Sequence, residues 1–184
     1  MNFQEIAKRA EKAEVYPNPI FPPSPYYRFF ELLAQEMKPN LSVVLGVCGG
    51  GDCLHLCKGN PDGMVVGVDI AWDHPEQLKH IIDNYPNFRF QLCSALDAAQ
   101  MIFDIYGPID ILFIDSIHEF KNTFVEFDKY KPYLSDRAVV CFDDLHRNTM
   151  KGVWEGLPEP KTRIDDMHPG STEGGFGVVY DIRK

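Results

Sequence analysis

The chain has 184 residues, of which 45% are hydrophobic, 24% charged and 12% aromatic, which supports a folded core and excludes a disordered or fibrous chain. The length fits one domain with a short extension. Its 27 acids against 18 Lys and Arg leave a net charge of −9 that repels phosphate backbones and anionic lipid, so neither nucleic acid nor a membrane surface is an expected partner.

No apolar run reaches the ~18 residues needed to span a bilayer. The start, Met1-Asn2-Phe3-Gln4-Glu5, lacks the basic-then-apolar pattern of a signal peptide, so the expected location is the cytoplasm. Cys48, Cys53, Cys57, Cys93 and Cys141 are expected as free thiols there. The C-x4-C-x3-C spacing of the first three has no second ligand pair and is not a zinc pattern.

In chain order, residues 1–15 predict a polar helix with a narrow apolar stripe of Phe3, Ile6, Ala7, Ala10 and Ala13. Five prolines between Pro17 and Pro25 then forbid helix or central strand and predict an extended arm. Ser24-Pro25 resembles a helix N-cap followed by a first-turn proline, opening a helix over 26–37 that Pro39 stops. Residues 1–40 are thus expected to be a helix, arm and helix that cap a site built by residues 41–184. Tyr16, Tyr26 and Tyr27 are candidates to fold over it.

Beyond Asn40, apolar runs at 43–47, 64–68, 88–92, 109–114 and 138–142 alternate with candidate helices at 53–57, 75–84, 95–105 and 120–133. Nearly continuous apolar strands between helices imply a parallel sheet covered on both faces. The fold class is α/β, Rossmann-like and doubly wound, with about seven strands counting 162–164 and 177–181, the last of them antiparallel. Residues 165–175 read as a mobile loop.

The first strand runs into Gly46-Val47-Cys48-Gly49-Gly50-Gly51-Asp52, a turn that lets a ligand approach the backbone. Cys48 departs from the dinucleotide fingerprint, no Gly-Lys-Ser/Thr follows, and Asp52 would meet a phosphate with like charge. Asp69 closes the second strand 18 residues past Gly51, where an acid can accept both ribose hydroxyls of a nucleoside. The fourth and fifth strands end in Asp115-Ser116-Ile117-His118 and Asp143-Asp144-Leu145-His146. Three carboxylates converging at one sheet edge repel one another unless a cation such as Mg2+ lies among them; either histidine is a candidate base.

Together these segments resemble a class I S-adenosylmethionine-dependent methyltransferase, nearest to the small-molecule O-methyltransferase group that includes cephalosporin-hydroxylase-like and macrocin O-methyltransferase-like proteins. The first motif there reads acid-apolar-Gly-x-x-x-Gly-Gly; here it is Val44-Leu45-Gly46-Val47-Cys48-Gly49-Gly50-Gly51, with Val44 in the acid's place. Leu92-Cys93-Ser94 stands where the family has Gly-Asp-Ser, and Phe113-Ile114-Asp115-Ser116-Ile117-His118 resembles apolar-Ile-Asp-Gly-x-His. The resemblance implies a cofactor site of Gly46, Val47, Cys48, Gly50, Gly51, Asp69, Ile70, Cys93, Ser94 and Asp115. It implies Mg2+ on Asp115, Asp143 and Asp144, and catalysis by Asp115 with His118 or His146. The acceptor is then a small-molecule hydroxyl, recognised by the N-terminal arm and late loops with help from a second copy in a homodimer. An NAD-dependent oxidoreductase, a degenerate nucleoside-binding module without turnover, and a metal-independent methyltransferase remain open alternatives.

Overall fold

The computed structural model describes residues 1–12, 24–164 and 174–182. The expected arm with Tyr16, and most of the expected loop at 165–175, lie outside the described residues. Helix α1 (Phe3–Lys12) buries Phe3, Ile6, Ala7 and Ala10, four of the five stripe residues; Ala13 is not described. Ser24 caps α2 (Pro25–Met37): its Oγ accepts the Tyr26 N–H at 3.2 Å, and Pro25 occupies the first turn where no N–H is needed. The helix ends at Lys38, which is left-handed with φ 48°, one residue before Pro39.

From there strand and helix alternate: β1 (Leu41–Leu45), α3 (Gly51–Gly59), β2 (Met64–Asp69), α4 (Pro75–Asn84), β3 (Phe88–Leu92), α5 (Ala95–Tyr106), β4 (Ile109–Ile114), α6 (Phe120–Tyr130) and β5 (Leu134–Phe142). A short α7 (Val153–Gly156) precedes β6 (Lys161–Arg163) and β7 (Gly177–Tyr180). The seven strands form one sheet in the order β3-β2-β1-β4-β5-β7-β6. The first five are parallel; β7 runs antiparallel between β5 and β6. Every residue of β1 and β4 is buried, as strands covered on both faces require.

The sheet separates two apolar clusters. One joins α1, α2 and α3 to Val44, Phe113, Cys141 and Val178. The other joins α5 and α6 to Leu45, Leu112, Phe142 and Val179. Tyr26, Phe29, Phe30, Phe113 and Phe176 make an aromatic cluster in the first, with centroids 4.7–6.2 Å apart. The end of α2 is tied to the sheet through Asp110, which is 2% exposed. Asp110 accepts the Asn40 N–H at 2.7 Å, the Ser135 hydroxyl at 2.7 Å and the Arg137 guanidinium at 2.9 and 3.1 Å. Arg137 also donates to the carbonyls of Met37 and Lys38. Burial alone would raise the Asp110 pKa, but these donors outweigh it and hold the carboxyl below its ordinary value.

Candidate active site

The carboxyl ends of β1, β2, β4 and β5 open on one edge, as parallel strands must, and a cleft of about 610 Å³ lies above them. The chain leaves β1 through Gly46, whose φ of +84° suits glycine. An added Cβ there would stand 2.2 Å from the Asp115 carbonyl oxygen, so Gly46 lets two strand ends sit side by side. Gly50, at φ +76°, opens α3.

Asp69 holds this turn in shape. Its Oδ2 accepts the N–H groups of Val47 at 2.7 Å and Cys48 at 3.1 Å; Oδ1 accepts the Ala71 N–H at 3.1 Å. Each carboxylate oxygen can take more than one hydrogen bond, so the group retains capacity toward the cleft that it lines. Ile70 is 74% exposed beside it, an uncovered apolar side chain at the cleft wall. Cys93 and Ser94 line the next stretch, where the Ser94 hydroxyl caps α5 by accepting the Leu96 N–H. Burial and the nearby Asp69, Asp73 and Asp115 carboxylates raise the Cys48 thiol, against a Gly49 N–H, and keep it neutral.

At the other end of the cleft, His118 Nε2 lies 2.9 Å from Asp115 Oδ1 and 3.2 Å from Asp144 Oδ2. The Arg147 Nε reaches the same Asp144 oxygen at 2.6 Å. Asp144 is left-handed, with φ +53°. Behind them the Ser116 hydroxyl donates to the Glu126 carboxylate at 2.6 Å. Burial raises the Glu126 pKa, while the Ser116 hydrogen bond and the charge of His118 pull the other way.

The three carboxylates assigned to Mg2+ do not form a ligand set. Among the described residues no group of three His, Cys, Asp or Glu side chains is placed to hold a metal ion. The reason is what two of them face: Asp115 and Asp144 both turn to His118 Nε2, and Asp144 also meets Arg147. β5 ends at Phe142 and Asp144 follows in a left-handed backbone, so strand alternation does not place the two adjacent acids, and both line the cleft. Asp143, like Asp115, acts electrostatically on Tyr26 and Tyr27.

Of the other expected site residues, Gly46, Cys48, Asp69, Ile70, Cys93, Ser94, Asp115 and His118 line the cleft together. Val47, Gly50 and Gly51 do not line it: Val47 is 3% exposed, Gly50 faces Ile81, and Gly51 faces the Tyr27 ring. His146 is not brought to the cleft either; it lies on the surface against Gly175, its N–H bonded to the Gly174 carbonyl. No described residue of α1 or α2 lines the cleft, Tyr26 is buried in the core, and Tyr27 stacks on His55 at 5.8 Å. Asn122, Val125 and Glu126, on one face of α6, line it without having been expected. Their i, i+3 and i+4 spacing was the available signal.

Six acids line the cleft, namely Asp69, Asp73, Asp115, Glu126, Asp143 and Asp144, and no described Lys or Arg does. Below it Asp52 is 4% exposed, its Oδ1 accepting the Cys53 N–H at 2.7 Å. Burial lifts this carboxyl to about 7, opposed by hydrogen bonds from Cys53 and its own N–H and aided by Asp143.

The sheet order, the glycine turn and the acid closing β2 define the class I methyltransferase fold. A methyltransferase-domain family model matches residues 43–145, more than half of the chain, and the chain belongs to that family. No curated protein sequence matches it. Among solved structures it is similar to cofactor-bound Rv0187 from MTB, at TM-score 0.73 and 18% identity over 98% of this chain and 88% of that one. It is also similar to the O-methyltransferase from Bacillus cereus in complex with SAH (TM-score 0.71, 19% identity, 97% and 90% covered). A third is the O-methyltransferase TomG from Streptomyces achromogenes, involved in tomaymycin synthesis, in complex with SAM (TM-score 0.69, 17% identity, 97% and 87% covered). At these identities the shared property is the fold. No helix among the described residues is long and apolar enough to cross a membrane.

Proposed function

We propose that the chain is an S-adenosylmethionine-dependent methyltransferase that methylates a hydroxyl of a small-molecule acceptor. The observation that carries this reading is the charge of the cleft: six acids, and among the described residues no Lys or Arg, line it beside the glycine turn. Such walls favour a nucleoside carrying a sulfonium and an ammonium group, and repel the pyrophosphate of a dinucleotide. The printed ligands of the similar structures, SAM and SAH, agree with it.

Asp69 would accept the ribose hydroxyls, with Ile70, Cys93 and Ser94 beside the adenine and the Gly46–Cys48 turn against the methionine part. When bound, the cofactor supplies an electrophilic methyl group. The acidic walls hold the cationic cofactor before transfer. His118, held between Asp115 and Asp144 at this end of the cleft, is the residue proposed to take the acceptor proton. The acceptor enters from the Ile117 and Val125 side, where both side chains are uncovered. A soluble acceptor fits a chain of charge −9 better than nucleic acid or anionic lipid does. A second copy of the chain would complete the acceptor pocket, since no described residue of α1 or α2 lines it.

Calorimetry with S-adenosylmethionine, S-adenosylhomocysteine and NADH tests the reading. Binding of the first two and not the third is expected. Binding of NADH alone, or of none, overturns it.

A further inference from the structure

We infer that the acceptor end of this cleft works without a divalent cation, because the His118 imidazole occupies the place a cation would take; this rests on the methyltransferase reading. His118 Nε2 stands between two carboxylates of different strands, 2.9 Å from Asp115 and 3.2 Å from Asp144. Carboxylates only accept, so the proton between them belongs to Nε2. One nitrogen therefore screens the repulsion that otherwise calls for a metal ion.

The remaining donors a cation would recruit are engaged as well. Asp144 Oδ2 is shared with Arg147 at 2.6 Å, and Glu126 takes the Ser116 hydroxyl at 2.6 Å. Asp143, 7% exposed at the cleft wall, does not join them in a group placed to hold a metal ion. Mg2+ needs oxygen ligands in near-octahedral array. Here it would have to displace an imidazole and compete with a guanidinium at the same oxygen, and would gain two separated carboxylates for doing so.

Manganese is the probe, because its free ion has a paramagnetic resonance signal and broadens nearby nuclei. With S-adenosylhomocysteine present, the free Mn2+ signal is expected to follow the total added into the millimolar range. The His118 imidazole signals in long-range proton–nitrogen spectra are expected to stay unbroadened by Mn2+. Stoichiometric wild-type binding that Asp115→Asn abolishes, or broadening of His118, would each overturn the inference. A calorimetric titration of S-adenosylhomocysteine in EDTA separates the two levels. Loss of that binding without metal overturns the inference, whereas absence of binding with and without metal defeats the methyltransferase reading itself.

Discussion

The buried acid at the start of α3 makes the protein's stability depend on pH in a direction opposite to that of most carboxylates. Asp52 is 4% exposed, and burial lifts its carboxyl from an ordinary 3.8 to about 7. Below pH 4 both folded and unfolded chains carry the proton, and burial of the neutral acid is unpenalised. Between about pH 4 and pH 7 the unfolded chain releases the proton while the folded chain keeps it, so stability falls as pH rises; above pH 7 the loss is complete. A shift of about 3 units at about 1.4 kcal/mol each sets the full loss at up to roughly 4 kcal/mol. Asp52→Asn keeps the shape and the oxygen that accepts the Cys53 N–H, and removes the titration. Urea denaturation of both proteins at a series of pH values should show the variant gaining on the wild type from pH 4 to 7 and holding its advantage above. Glu126 shifts in the same direction but is present in both proteins and cancels. A difference that is flat across this range, or that shrinks with pH, refutes the reasoning.

Under the proposed cofactor placement, Asp69→Ala should weaken S-adenosylhomocysteine about 10- to 100-fold by calorimetry, since it would remove the proposed acceptor for the ribose hydroxyls together with the acceptor for the Val47, Cys48 and Ala71 N–H groups. Gly46→Ala should cost roughly 2–4 kcal/mol in denaturant, because the new methyl meets the Asp115 carbonyl at 2.2 Å in a left-handed backbone. Asp110→Ala removes the acceptor of the Asn40 N–H, the Ser135 hydroxyl and the half-exposed Arg137 guanidinium, and should cost about 1–3 kcal/mol while leaving cofactor affinity per folded molecule unchanged.

What the sequence made legible was set by periodicity and by caps. The expected ranges of β3, β4 and α4 match the structure residue for residue, because apolar runs bounded by turn residues leave little choice. β1 ends at Leu45 rather than at residue 47, since Gly46 turns the chain through a positive φ that composition does not announce. β5 begins four residues earlier than expected: Ser135, Asp136 and Arg137 are polar, and only the buried Asp110 explains why two of them sit on a strand. In the site, residues at the ends of parallel strands were visible from order alone. The turning of Asp144 to His118 and Arg147 required the left-handed backbone after β5, and Glu126 required the packing of α6. His146 follows its strand as His118 does, yet the loop after β5 carries it to the surface against Gly175.

The position of β7 also governs the order in which the sheet can close. β6 pairs with β7, and the far edge of β5 is covered by β7, yet β7 follows every other strand in the chain. During synthesis the five parallel strands, with the glycine turn and Asp115 among them, can assemble while the apolar edge of β5 still has open hydrogen-bonding groups. Completion of that side of the sheet therefore waits on residues 177–180, which pair with the open edge of β5 and carry β6 on their other side. A nascent chain paused before that point would carry a nearly finished cleft beside a template for intermolecular pairing.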